Sequence, residues 1–158
     1  MEAFPAAPLR RDPLAAAYFN PDHDSADHAP QPIFRATLDT QPTPASQFTL
    51  FKTTSRAHYD AARERVGIKD RMDPREVILY NERGEITEAS VRNVSFWRNG
   101  GWVTPPVTSG GLPGTLRRWL MENGLLREEV IRKEDIRPGE WVMMSNSVDG
   151  TVLGKVDG

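Results

Sequence analysis

Lys52 is the residue of this sequence that is best suited to act as a nucleophile. It lies in the run FTLFKTTSR, residues 48–56. If this run is a strand, Phe48, Leu50 and Lys52 share one face, because side chains alternate with a period of two residues. An apolar setting disfavours the charged form of an amine, which makes the amine a better nucleophile and Schiff-base former. The run also fits a lysine at a strand end, whose stem covers apolar surface while its ammonium group reaches water.

Glu88 is the second residue whose position could serve chemistry. Residues 85–90, EITEAS, have the pattern of a short strand in which Ile86 and Glu88 share a face. An acid that faces inward needs a partner, such as a cation or a protonated ring nitrogen. The alternative is a carboxylate at a strand end that reaches solvent.

Two further segments could bind an anion. A Gly/Pro-rich loop, residues 105–114, leads into a helix that begins at Thr115. Because helix N-termini have free N–H groups, Thr115 and Leu116 could donate main-chain hydrogen bonds to a phosphate. The segment lacks the ending of a Walker loop and also fits an ordinary helix start. Ser147, in the polar run after an apolar strand, could bind an anion or a sugar, or could simply form a turn.

The elements that must position these residues form an α+β domain dominated by strands. The hydrophobic pattern predicts helices over residues 55–66 and 115–123, with Tyr59 on the inward face of the first helix and Trp119 on that of the second. Asn99-Gly100 predicts a two-residue hairpin turn. The predicted strands are residues 33–38, 76–80, 85–90, 93–98, 101–104, 128–133, 141–144 and 151–156.

Residues 1–31 differ from the rest in composition. They are rich in Pro, Ala, Asp and His without a sustained period, so we expect an irregular leader or the remnant of a larger domain, followed by one domain over residues 32–158. His23 and His28 could suggest a metal site. A solvated polar loop accounts for them better, since no further ligand cluster supports a metal. We therefore expect no bound metal.

Composition restricts the class of protein. At 158 residues the chain suits one domain, and a net charge of −2 with a pI near 5.9 gives no electrostatic sign of a nucleic-acid or membrane partner. The absence of cysteine excludes disulfides, thiolate zinc sites and thiol nucleophiles. We expect no membrane span and no secretory signal, because no apolar run approaches ~20 residues and no basic region precedes a hydrophobic one. A cytoplasmic protein is the resulting expectation.

Five motifs together resemble a known family. They are KTTSR (52–56), NERGEITEASVRNVSF (81–96), TPP (104–106), LPGT (112–115) and MSNS (144–147). From about residue 32 onward the chain resembles the class IV, or fold type IV, pyridoxal-phosphate aminotransferases. The Lys-Thr-Thr variant is most similar to the fungal aminodeoxychorismate lyase-like members. The implied fold is a pseudo-barrel of strands with flanking helices.

The resemblance implies a role for each matched position. Lys52 would link covalently to pyridoxal 5'-phosphate and transfer the proton, and Glu88 would pair with the protonated pyridine nitrogen. Asn93 would shape the site. Thr115 and Leu116 would bind the phosphate through backbone amides.

Ser147 would add a hydroxyl group to the same phosphate site. The implied activity is release of pyruvate to give 4-aminobenzoate, with transamination of a branched-chain or D-amino acid as the alternative. Family members carry an N-terminal domain of roughly a hundred residues that supplies a phosphate-binding arginine. Because residues 1–31 do not resemble that domain, a truncated, catalytically inactive module is a third reading. The family also implies a small amino substrate and a homodimer.

Overall fold

A computed structural model describes residues 12–44, 56–70 and 73–158 of the chain. The described residues form helices α1 (Ala15–Tyr18), α2 (Ala57–Arg65) and α3 (Thr115–Glu122). The strands are β1 (Phe34–Leu38), β2 (Arg75–Tyr80), β3 (Ile86–Ala89), β4 (Asn93–Arg98), β5 (Gly101–Thr104), β6 (Arg127–Glu128), β7 (Trp141–Asn146) and β8 (Gly150–Val156). No helix within these ranges has the length and apolarity to cross a membrane. The predicted strand-rich α+β class is confirmed.

One mixed sheet contains all eight of these strands, in the order β3-β2-β1-β8-β7-β4-β5-β6. β1 is central and pairs in parallel with both β2 and β8. The sheet curls until its two edges meet. The backbone N–H of Ile86 in β3 donates to the carbonyl of Ile131, which follows β6, over 2.8 Å. Lys133 N–H donates to the carbonyl of Gly84 over 2.9 Å. The predicted pseudo-barrel is therefore confirmed.

The interior of this barrel is an apolar core in which the strands alternate inward and outward. Phe96 and Val94 of β4, Met144 of β7 and Ile78 of β2 are fully buried there. Outward neighbours on the same strands, such as Val77, Leu79 and Met143, belong to two outer clusters. This period-two burial explains why the strand pattern was visible in the sequence.

Helices cover two separate areas of the outer sheet surface. α1 and α3 lie over an apolar cluster that includes Trp102, Met143 and Leu153, whereas α2 packs against Val77 and Leu79 of β2. The segment 12–31, in the second half of the expected leader, also packs on the sheet. Its Ala16, Ala17 and Phe19 are buried, and Thr151 N–H donates to the Pro13 carbonyl over 2.6 Å. The domain boundary at residues 31–32 stays a prediction.

Two sequence expectations about the second half of the chain are wrong. Trp119 does not face inward but is 39% exposed, and Arg117 is buried in its place. Arg117 can be buried because its guanidinium donates to the Pro105 carbonyl and pairs with Glu128. The predicted strand 128–133 is also wrong beyond Glu128, because the chain leaves β5 there and crosses to the edge of β3.

The barrel interior predicts a large effect of truncating Phe96. Phe96→Ala removes a fully buried ring and leaves a cavity, so the free energy of unfolding should fall by about 3–5 kcal/mol. Urea denaturation measures it. Val148→Ala is the control, because Val148 is 89% exposed, and its effect should stay within about 0.5 kcal/mol. Equal losses in the two variants would contradict the placement of Phe96.

Candidate cofactor site

A β-bulge determines which way Glu88 points. In the β2–β3 register, Ala89 pairs with Ile78. Ile86 pairs with Tyr80, so two residues of β3 lie opposite a single residue of β2. Ile86 and Ala89 both face the barrel interior, and Glu88 faces outward toward α2. The expectation that Ile86 and Glu88 share a face is therefore wrong, because the extra residue of a bulge reverses the alternation.

The carboxylate of Glu88 is buried between two hydrogen-bond donors. It is 5% exposed, and its Oε1 accepts from the Tyr59 hydroxyl over 2.6 Å. Its Oε2 accepts from the backbone N–H of Leu112 over 3.1 Å. Within the described ranges, no arginine, lysine or histidine forms an ion pair with it. Burial raises the pKa of Glu88 to about 7, although both donors and the charge of Arg56 favour the anion.

Helix α2 positions the tyrosine of this pair. Tyr59 and Ala62 lie on the face that packs against β2, as the sequence predicted. Burial and the neighbouring Glu88 charge raise the pKa of the Tyr59 phenol, so the phenol stays protonated and donates. Arg56, the residue before α2, donates to the Ser90 carbonyl over 2.8 Å, and its guanidinium lies 5.0 Å from the centroid of the Tyr59 ring. The start of α2 is thus fixed to the end of β3.

The loop 105–114 supplies the second donor because a glycine lets it approach β3. A Cβ at Gly111 would overlap the backbone carbonyl of Thr87. Only glycine permits this approach, which brings Leu112 N–H to Glu88. Asn93 at the start of β4 then holds the other side of Leu112, since its Nδ2 donates to the Leu112 carbonyl over 2.7 Å. Asn93 therefore shapes the loop through a direct contact.

The same loop leads to the N-terminus of α3. Gly114 precedes the helix without a capping side chain, and a Cβ there would overlap Oδ1 of Asn93. Arg118 N–H bonds to the Gly114 carbonyl over 3.0 Å. Thr115 and Leu116 lie before the first such bond, and none of the residues that the structure describes accepts from their backbone N–H groups. Among the described residues, these two amides are therefore without a partner, and they lie at the positive end of the helix dipole.

Ser147 lies in the exposed turn between β7 and β8. Asn93 pairs with Ser145, so the end of β7 lies beside the start of β4 and hence beside the loop that precedes α3. The turn is held in place by Asn146, whose Oδ1 accepts from the backbone N–H of Asp149 over 2.7 Å and whose Nδ2 donates to the Val91 carbonyl over 3.2 Å. The structure thus brings the Ser147 turn to the same end of the barrel as Asn93.

Lys52 lies outside the described residues, so its predicted role stays a prediction. The described chain resumes at Arg56 and enters α2 at Ala57. The roles predicted for Glu88, Thr115 and Ser147 also stay predictions, although the structure groups these residues at one end of the barrel.

Sequence reasoning missed Tyr59 and Arg56 as members of this group. Tyr59 was assigned only to an apolar helix face. The available signal was its hydroxyl, because a buried tyrosine normally finds a hydrogen-bond partner. For Arg56 the sequence indicates only its place in the KTTSR motif.

A buried ionic cluster under the site was missed as well. Glu76 of β2 is fully buried, and it pairs with Arg92 at 3.1 Å and with Arg63 at 3.7 Å. Its carboxylate also accepts from the hydroxyl and the backbone N–H of Ser90. Arg92 in turn donates to Asp149 over 2.7 Å. The cluster connects α2, the end of β3 and the Ser147 turn.

Comparison with known proteins identifies the family. A family model described as amino-transferase class IV matches residues 5–153. The chain belongs to the class IV aminotransferase family. A Schizosaccharomyces pombe protein provisionally named aminodeoxychorismate lyase is 39% identical over 115 residues, covering 70% of this chain and 49% of that protein. The aminodeoxychorismate lyase of Saccharomyces cerevisiae is 34% identical over 134 residues, covering 75% of this chain and 36% of that protein.

Solved structures share the fold of this chain. A Mesorhizobium loti protein provisionally named amino-acid aminotransferase superposes with a TM-score of 0.68 at 30% identity, over 79% of this chain and 60% of that chain. The branched-chain amino acid aminotransferase of Escherichia coli gives a TM-score of 0.61 at 26% identity, over 79% of this chain and 44% of that chain. The chain spans about half the length of the curated relatives, or less.

The raised pKa of Glu88 predicts a stability that depends on pH. Between about pH 4.5 and pH 7 the native carboxyl group retains a proton that the unfolded chain releases, so raising the pH through this window destabilises the fold. Glu88→Gln should remove this contribution, of about 3 kcal/mol, from the pH profile of the free energy of unfolding.

Urea denaturation of the parent and the variant across this window measures the difference. Glu82→Gln is the matched control, because Glu82 is exposed in the turn after β2, and it should reproduce the parent profile. A parent profile identical to that of Glu88→Gln would show that the Glu88 pKa is not raised.

Proposed function

We propose that this chain is the cofactor-binding part of a pyridoxal-phosphate-dependent enzyme that acts as an aminodeoxychorismate lyase, releasing pyruvate to give 4-aminobenzoate. The observation that carries the cofactor proposal is the buried carboxylate of Glu88. It has two donors but no cationic partner among the described residues, and one of the donors is in the loop that leads to the N-terminal amides of α3. The names of the two fungal relatives support the lyase activity.

The residues present fit the cofactor at two of its ends. A carboxylate accepts up to four hydrogen bonds, so Glu88 retains capacity for a protonated ring nitrogen, which would also supply the missing positive charge. The amides of Thr115 and Leu116 suit a phosphate at a helix N-terminus, and Ser147 would add a hydroxyl group. Leu112 lies between Glu88 and α3, so a single loop would position both ends of the cofactor.

The side chains would then divide the work as follows. Lys52 would hold the cofactor covalently, and its side-chain amine would take a proton from the substrate. Bound pyridoxal phosphate acts as an electron sink for the substrate carbon that loses this proton. Glu88 would hold the ring nitrogen protonated, and Asn93 would hold the loop at Leu112.

Transamination is the second candidate activity. It is favoured by the likeness, at 26% identity or above, to the Mesorhizobium loti protein and to the Escherichia coli branched-chain aminotransferase. A branched-chain or D-amino acid would then be the substrate. We also propose a homodimer, as the family implies, and a location in the cytoplasm. An inactive module is the third candidate.

Cofactor uptake tests the assignment of Lys52. Pyridoxal phosphate added to the protein should give the visible absorption band of a lysine-linked cofactor, and Lys52→Ala should abolish it because the amine is lost. Lys69→Ala removes an exposed lysine after α2 and should leave the band intact. Borohydride reduction followed by peptide mass spectrometry should locate the label on Lys52. A band that survives Lys52→Ala would sink the assignment.

Substrate assays separate the candidate activities. The protein loaded with cofactor should convert aminodeoxychorismate to 4-aminobenzoate and pyruvate, and Lys52→Ala should lower this rate to background. Pairs of branched-chain or D-amino acids with keto acids form the second arm. Turnover in that arm alone would favour transamination. Binding of cofactor without turnover in either arm would favour an inactive module.

A further inference from the structure

Two separate elements hold the two oxygens of Glu88. Oε1 accepts from Tyr59 on α2, and Oε2 accepts from Leu112 in the loop before α3. A carboxylate with one partner can rotate about its terminal bond, whereas donors on both oxygens determine its plane. A planar ring whose nitrogen must meet the carboxylate in line requires such a fixed plane. Tyr59 thus limits where the acceptor lone pairs of Glu88 can point.

The Tyr59 hydroxyl acts as a donor and not as a competing acid. It is buried, and the adjacent Glu88 charge raises the pKa of the phenol, so the proton remains on Tyr59 across the physiological range. A hydrogen bond donated to a carboxylate favours its ionised form. In the ionised form both carboxylate oxygens are acceptors, so either one can accept the N–H of a protonated ring nitrogen.

Arg56 keeps Tyr59 in this position. Its guanidinium lies over the Tyr59 ring at 5.0 Å and its Nη2 donates to the Ser90 carbonyl, two residues beyond Glu88. The arginine therefore contacts both the tyrosine and the strand that carries the acid. It also precedes α2 by one residue and follows Lys52 by four in the sequence, so it belongs to the segment that contains the predicted nucleophile.

The charged residues that act on Glu88 are Glu76 on β2 and Arg56, which precedes α2. Glu76 raises the pKa of Glu88, and Arg56 lowers it. Glu76 is itself paired with Arg63 and Arg92, which limits its effect. The described groups that favour the anion are therefore the Tyr59 hydroxyl, the Leu112 amide and Arg56.

We propose that Tyr59 is a positioning residue for Glu88: its hydroxyl fixes the plane of the carboxylate and maintains it as a hydrogen-bond acceptor, while Arg56 holds the tyrosine in place. The use of this acceptor for a cofactor ring nitrogen rests on the proposed function. The pair itself does not, so it is testable without cofactor.

The test is the titration of the Glu88 carboxyl group in the protein without cofactor. Carbon-13 NMR of labelled glutamate side chains gives the pKa, and Glu88→Gln identifies the signal. Tyr59→Phe should raise this pKa by about one to two units, because a hydrogen bond to a charged group is lost. Tyr80→Phe is the matched control, since Tyr80 is also buried but faces the barrel interior, and it should leave the pKa unchanged.

A second measurement covers the case in which Tyr59→Phe does not fold. Incorporation of 3-fluorotyrosine keeps the shape and makes the phenol a stronger donor, so the Glu88 pKa should fall below that of the unlabelled protein. A Glu88 pKa that moves in neither experiment overturns the proposal.

Cofactor binding separates this proposal from the proposed function. If the Glu88 pKa shifts as expected but no visible band forms, the positioning role holds and the cofactor proposal fails. If the band forms but the pKa is the same in Tyr59→Phe and Tyr80→Phe, the cofactor proposal stands and the positioning role is wrong. If both hold, Tyr59→Phe should also move the pH midpoint of the cofactor band, whereas Tyr80→Phe should not.

Discussion

Burying a carboxylate without a cation is unfavourable, and the structure around Glu88 is arranged to offset this. The bulge in β3 turns the side chain away from the barrel interior, where no donor would meet it. α2 then supplies the Tyr59 hydroxyl, and the loop 105–114 supplies the Leu112 amide. Three elements that are distant in sequence, β3, α2 and the loop 105–114, therefore meet at the Glu88 side chain. The two donors do not offset the whole cost of burying the charge, because the pKa of Glu88 remains raised.

The loop between β5 and α3 connects this acid to the helix N-terminus. It is fixed by close backbone packing at Gly111 and by Asn93 at Leu112, and it enters α3 at Gly114 without a capping side chain. None of the described residues accepts from the Thr115 and Leu116 amides, which a capping residue would help to satisfy in other helices. Since the loop is held at Gly111 and Leu112 and enters α3 directly after Gly114, the backbone determines the separation between Glu88 and these amides.

Much of the fold followed from local sequence pattern. Strands such as β4 and β7 and the hairpin at Asn99-Gly100 were predictable, because alternation and turn chemistry are local properties. The direction of Glu88 was not, because a bulge appears only once the register with β2 is known. The Tyr59–Glu88 contact joins residues 29 positions apart and depends on that register too.

The candidate site was accessible from sequence mainly through the resemblance to a family. Lys52, Glu88 and Thr115 each allowed an ordinary structural reading when taken singly. Helix α3 shows why side-chain burial was harder to predict than element type. The apolar pattern predicts Trp119 on the inward face of the helix with Leu116 and Leu120, but Arg117 is buried because the Pro105 carbonyl and Glu128 bind its guanidinium group.

The bulge has a consequence for how this stretch can change over evolution. Adding one residue between Glu88 and Ala89 would restore regular alternation along β3 and place Glu88 on the same face as Ile86. Glu88 would then point into the apolar barrel interior and lose its hydrogen bond with Tyr59 on α2. A substitution at Thr87 leaves the number of residues in β3 unchanged. Insertions should therefore occur in the turns on either side of β3 and not between Glu88 and Ala89.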